Sequence, residues 1–290
     1  MRLLMFGANG QVGRDVQDLA RERGLPLVAL DRAAVDITDP AALDRAFATH
    51  PADVVINAAA YTAVDRAEAE PELAERANAL APGLIAERCE RLGLPLLHLS
   101  TDYVFDGTKT SAYIESDPIR PLGVYGHTKA AGEAAIRAAT PRHVILRTSW
   151  VYGVHGTNFL KTMLRLARER DRLSVVADQR GCPTATRDIA EALVCVAEAA
   201  MVGATCWGTF HFAGTGATTW HGFASHIIAR AARHTARWPE VVAIPTADYP
   251  TPARRPANSE LDCGLFERTF HMRAAPWQSR TDEVVDHLLA

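Results

Sequence analysis

Arg2-Leu3-Leu4-Met5-Phe6, followed at once by Gly7-Ala8-Asn9-Gly10-Gln11-Val12-Gly13, is the stretch whose reading decides the fold. The apolar run fits a short strand buried on both faces. Residues 11–23 then repeat apolar side chains at helical spacing. Glycines at a strand-to-helix turn let the backbone approach a pyrophosphate, and the N-terminus of the helix meets its charge. A glycine triplet alone is weak evidence. Its place between a strand starting at residue 2 and an amphipathic helix gives it weight.

The same alternation continues outward. Apolar runs at 27–30, 53–56, 94–99 and 143–147 suit further buried strands, with helix-period segments at 40–49, 71–92 and 126–139. Strand–helix repetition implies parallel strands joined by helical crossovers. The expected class is therefore α/β, a doubly wound parallel (Rossmann) sheet over residues 1–150 that serves as an NAD(P)-binding domain. Residues 151–290 read as a smaller, interleaved, mainly substrate-binding part. It carries helices near 158–170, 187–201, 219–236 and 281–289 and strands near 173–176, 208–212 and 241–244. Segments near 173–213 are expected to return to the Rossmann sheet, and the Pro-, Ala- and Arg-rich stretch 245–262 reads as loop.

Composition excludes several other functions. A chain of 290 residues with net charge −3, 48% hydrophobic and 22% charged, is ordinary globular material. Near-neutrality gives no field for nucleic acid or an anionic membrane surface. No stretch approaches the roughly 18 uninterrupted apolar residues of a membrane span. Five scattered cysteines (Cys89, Cys182, Cys195, Cys206, Cys263) without CxxC spacing read as reduced thiols of a cytoplasmic protein. His221 and His226, five apart, fall on different faces of a helix and read as structural.

Several motifs carry chemistry. Asp31, after the second strand, suits the adenosine ribose hydroxyls of NAD, while the adjoining Arg32 suits the 2′-phosphate of NADP, so the pair does not decide between NADPH and NADH as the cofactor. Asp36 and Ile37 are placed to flank the adenine, although Asp36 is equally placed to cap the helix near Pro40. Asn57-Ala58-Ala59-Ala60-Tyr61-Thr62 puts small side chains where a flat ligand enters the crevice. Ser100-Thr101-Asp102-Tyr103 closes the fourth strand, and Tyr125-Gly126-His127-Thr128-Lys129 follows. Tyrosine and lysine four apart share a helical face. A neighbouring ammonium favours the phenolate, making Tyr125 a usable acid or base, and the Thr101 hydroxyl polarises a substrate carbonyl. Only three of the 31 basic residues are lysine (Lys109, Lys129, Lys161), so one at this spacing is less expected by chance than usual.

These residues resemble the extended short-chain dehydrogenase/reductase superfamily, and within it the dTDP-4-dehydrorhamnose reductase family. The matching runs are GANGQVG at 7–13, NAAAYTAVDRAE at 57–68, LSTDYVFDG at 99–107, YGHTKAAGE at 125–133, RTSWVYG at 147–153, DQRGCPT at 178–184 and ARRPANSELD at 253–262. The resemblance implies reduction of the C4 keto group of a dTDP-4-dehydro-6-deoxy sugar by NAD(P)H. Tyr125 is then the proton donor, with Lys129 lowering its pKa and holding the nicotinamide ribose and Thr101 assisting at the carbonyl. The cofactor set comprises Gly7, Asn9, Gly10, Gln11, Val12, Gly13, Asp31, Arg32, Asp36, Ile37, Ala59, Ala60, Tyr61 and Thr62, besides Tyr125 and Lys129. Asp102 and Trp150 join Thr101 and Tyr125 on the sugar nucleotide, with Arg254 and Arg255 as candidates for its diphosphate. Some members hold magnesium at a dimer contact. Here the corresponding acids, such as Asp15 and Asp188, stand beside Arg14 and Arg187, so no metal is expected, while a homodimer is. Two rivals share the fold: a sugar-nucleotide epimerase or dehydratase, and a non-catalytic subunit like the regulatory subunit of methionine adenosyltransferase. Intact Thr101, Tyr125 and Lys129 favour an active reductase.

Overall fold

The computed structural model describes residues 1–203, 207–234 and 239–290; Cys206 and the end of the helix expected over 219–236 lie outside them. Strands β1 (Leu3–Phe6), β2 (Leu27–Leu30), β3 (Val54–Asn57), β4 (Leu96–Thr101) and β5 (His143–Thr148) join the Gly208–His211 strand in one six-stranded sheet. Every pairing in it is parallel. From one edge the order is β2, β1, β3, β4, β5, then Gly208–His211. Order reverses between β1 and β3, and the crevice at such a switch point, beyond the carboxyl ends of the strands, is where parallel sheets bind ligands.

Strand alternation divides the core into two layers. Leu3, Met5, Val54 and Ile56 pack on one face with helix α1 (Gln11–Arg23) and the Thr186–Met201 helix, while Leu4, Phe6 and Val55 pack on the other with helix α2 (Pro40–Thr49) and the Ala81–Leu92 helix. β2 departs from the doubly buried expectation. It is the edge strand, and its side chains are half-buried or exposed.

Of the 173–213 stretch expected to return to the sheet, the Thr186–Met201 helix covers one face and Gly208–His211 adds the sixth strand. Arg172–Val176 does not join it: it pairs in parallel with Glu240–Ile244 in a separate two-stranded sheet. Its alternating exposure explains this, since only one of its faces is covered. A further apolar cluster, including Leu160, Leu173, Phe223, Ile227 and Val285, holds this C-terminal part together. The 245–262 stretch is not all loop, for Asn258–Ser259 pairs with Arg180–Gly181. Cys89, Cys182 and Cys263 are free thiols. Among the described residues no helix is long and apolar enough to cross a membrane.

Candidate active site

The turn between β1 and α1 is shaped by its glycines. Gly7 holds φ +96°, and a Cβ there would lie 2.6 Å from the backbone of Ala58 and Ala59. The turn thus presses on the loop leaving β3. Gly13, expected on the cofactor, does not reach the cavity. It lies behind the turn, where a Cβ would come within 2.2 Å of the Gly7 carbonyl oxygen, so its smallness lets α1 close on the turn. Gly10 precedes α1 in extended conformation and offers no side-chain cap. The first amides of α1 are left for an anion, a cradle that fits a dinucleotide pyrophosphate.

A cavity of about 970 Å³ opens beyond this turn, and every other residue singled out for the cofactor, the chemistry or the sugar (Thr101, Asp102, Tyr125, Lys129, Trp150) lines it. At the end expected to take the adenosine, Asp31 accepts hydrogen bonds from the Asn9 side-chain amide (2.7 Å) and from the backbone amides of Ala33 and Ala34 (3.0 and 2.9 Å). Asp36 accepts from the Thr38 backbone and hydroxyl. Those bonds, with Arg32 and Arg76 nearby, hold its carboxyl below the usual range. Asp36 does not cap α2; Asp39 does, accepting from Ala41 N at 2.9 Å.

At the other end, Thr101 finishes β4, and the Val124–Ala139 helix carries Tyr125 and Lys129. The Tyr103 ring meets that of Tyr125 edge-on, with centroids 5.5 Å apart. Burial pushes the Tyr125 phenol up to about 12; a hydrogen bond with Thr101 opposes this, and the Asp102 charge adds to it. The depression by Lys129 expected from spacing is therefore not present here. Lys129, 2% exposed, directs Nζ to the Leu99 carbonyl (2.6 Å) and to His98 Nε2 (3.2 Å). Burial pulls its own pKa down to about 8, with Glu133 opposing. Asp102 is buried beside Thr101, which donates to its Oδ1 at 3.0 Å. Burial raises that carboxyl to about 6, the Ser259 and Thr101 hydroxyls opposing.

Trp150 adopts φ +48° and stacks on Trp220, with centroids 3.7 Å apart and planes 8° apart. A Cβ on Gly181 would lie 2.5 Å from its indole. Trp220 and Gly181 thus both pack against the indole, which still reaches the cavity wall. Arg255, expected at the diphosphate, forms a two-pronged pair with Asp65 (2.9 Å each) and does not line the cavity; Arg254 is exposed. Asp188 is engaged by Arg280 at 2.7 Å. Asp15 instead gathers with Asp18 and His155, whose ligand atoms lie within 4.8 Å of one another.

Four supporting residues escaped the sequence reading. Asn78 lies in a π-helical turn, Arg76–Leu80, inside the helical run 71–92. It accepts from Tyr61 N (2.8 Å) and donates to Tyr61 O (3.0 Å) and Thr128 Oγ1 (3.2 Å), tying the loop after β3 to the tyrosine-bearing helix. The others are His98, Trp220, and Glu133, which pairs with Arg147 at 2.7 Å. An asparagine inside an apolar helical stretch was the one available signal for Asn78. Glu133, four residues past Lys129, gave a similar hint.

A reversed parallel sheet, a glycine turn at its switch point and a Thr–Tyr–Lys group in the same crevice define a nicotinamide-dependent oxidoreductase with a Rossmann-type fold. The family described as RmlD substrate binding domain matches residues 1–290, and the chain belongs to it. It is 43% identical to a dTDP-4-dehydrorhamnose reductase of Sinorhizobium fredii, over 100% of this chain and 98% of that one. The structure of a dTDP-4-dehydrorhamnose reductase from Clostridium acetobutylicum superposes with TM-score 0.92 at 36% identity, covering both chains fully. Another, from Bacillus anthracis in complex with NADP, gives TM-score 0.90 at 31% identity over 99% of each chain.

Proposed function

We propose that this chain reduces the C4 keto group of dTDP-4-dehydro-β-L-rhamnose with NADPH or NADH, giving dTDP-β-L-rhamnose in the last step of dTDP-L-rhamnose synthesis. The meeting of Thr101, Tyr125 and Lys129 with the glycine turn in one cavity carries the reading. Names of full-length relatives supply the sugar nucleotide.

When bound, the nicotinamide cofactor supplies the hydride. Gly7, Gly10, Gln11 and Val12 hold its pyrophosphate, Asp31 and Arg32 its adenosine ribose, and Ala59, Ala60, Tyr61 and Thr62 its centre. Tyr125, which burial keeps protonated at neutral pH, gives its proton to the carbonyl oxygen as negative charge develops there. Thr101 donates to the same oxygen and orients the phenol. Lys129 holds the ribose through its ammonium. Asp102 and Trp150 hold the sugar, whose apolar C–H face suits an indole.

A dehydratase of this superfamily needs a second acid after the threonine–aspartate pair, and Tyr103 stands there. The test is NAD(P)H oxidation with the enzymatically prepared 4-keto sugar nucleotide, with Tyr125→Phe alongside. General-acid loss predicts a fall of about 10²–10⁴-fold in kcat with NADPH binding retained. Full activity in the Phe variant contradicts the proton-donor role.

A further inference from the structure

Lys129 ends a buried polar chain that the proposed reaction leaves unused. Asn57, the last residue of β3, and His98, in β4, are both fully buried. The Ala59 amide donates to Asn57 Oδ1 at 3.1 Å, which turns Asn57 Nδ2 toward His98 Nδ1, also 3.1 Å away. An amide donor at Nδ1 requires that nitrogen to accept, so a neutral imidazole carries its proton on Nε2. Burial keeps His98 neutral. Its Nε2–H then points at Lys129 Nζ, 3.2 Å away, while Nζ donates to Leu99 O. A neutral amine has a lone pair for that N–H; an ammonium has none. Turning Asn57 over would suit the ammonium but would leave the Ala59 amide facing another donor. Few charges offset this bias. Glu133, one turn along the helix, favours the ammonium yet is itself paired with Arg147 of β5. Tyr125 on the same helix and Asp102 beyond β4 line the same cavity.

We propose that His98, fixed by Asn57 as its Nε2–H tautomer, is a positioning residue that biases Lys129 toward the neutral amine and so places the alkaline limit of turnover. The effect on turnover rests on the reductase reading; the charge state of Lys129 does not, and is measurable in the free protein.

The test exploits the rarity of lysine. Carbon-13 at the lysine ε-position gives three signals, and Lys109→Arg and Lys161→Arg assign them. The wild type should show Lys129 half-titrated near 8, and imidazole nitrogen-15 shifts should report Nε2–H for His98. Asn57→Asp supplies an acceptor for Nδ1–H, moves the proton off Nε2 and offers that nitrogen to the ammonium. His98→Gln can turn its amide oxygen to Nζ. Each should raise the Lys129 midpoint by about one pH unit, and with it the alkaline limb of kcat/KM for the sugar nucleotide. A merely structural role would lower the rate at every pH without moving the limb. An unmoved Lys129 midpoint in both variants, or an Nδ1–H tautomer in the wild type, overturns the proposal. A midpoint that moves in a protein with no reductase activity at any pH upholds the His98 assignment and sinks the reductase reading.

Discussion

Lys129→Met should make the protein more stable at neutral pH while removing its activity. The lysine is 2% exposed, and burial pulls its pKa from 10.5 to about 8, a difference worth about 3 kcal/mol against the folded ammonium. Methionine fills similar space without charge but leaves the Leu99 carbonyl without its 2.6 Å donor, a loss of about 1–2 kcal/mol. The balance is a gain of about 1–2 kcal/mol at pH 7. The folded protein binds this proton more weakly than the unfolded chain, so wild-type stability rises with pH between about 8 and 10.5. The advantage of the variant is therefore full below pH 8 and shrinks through that window. Urea denaturation of both proteins at pH 7 and pH 10 measures the two gaps. A variant less stable than wild type at pH 7, or a gap unchanged at pH 10, would refute the reasoning.

Three other outcomes follow from the geometry. Gly13→Ala drives a methyl to 2.2 Å from the Gly7 carbonyl oxygen; overpacking of about 1–3 kcal/mol should appear as roughly tenfold or more weaker NADPH binding in a fluorescence titration. Glu133→Gln breaks a wholly buried pair with Arg147 and should cost about 3–5 kcal/mol in urea at pH 7. Because the carboxyl of Glu133 lies below its usual 4.5, held there chiefly by Arg147 against the opposing cost of burial, its contribution is present above that pH and fades as pH falls through the folded value. Trp220→Ala frees the stacked face of Trp150 and should raise KM for the sugar nucleotide about two- to tenfold, leaving KM for NADPH unchanged in steady-state assays.

The sheet and most of the cavity were legible in the sequence because both depend on local pattern. Leu3–Phe6 is apolar at every position and a glycine turn follows it, which is enough to name strand, turn and helix. Tyr125 and Lys129 share a face through helix geometry alone. What escaped depends on distant contacts. That β2 lies at an edge, or that Arg172–Val176 pairs with Glu240–Ile244 outside the main sheet, follows from partners with no local signature. Arg255 looked free for a phosphate, but Asp65, 190 residues away, engages it. The π-helical turn that aims Asn78 at Tyr61 arises within an ordinary helical pattern. The roles of Gly13 and His98 likewise depend on which atom each faces.

The central claim is that these residues drive a net reduction and not a cycle that returns the hydride. Incubation of the 4-keto sugar nucleotide with NADPH deuterated at the transferring position tests this most directly. The account predicts one deuterium at C4 of the product for each NADPH consumed, and about 10²–10⁴-fold slower transfer in Tyr125→Phe. Conversion of the sugar without net NADPH consumption, or undiminished transfer in that variant, would contradict it.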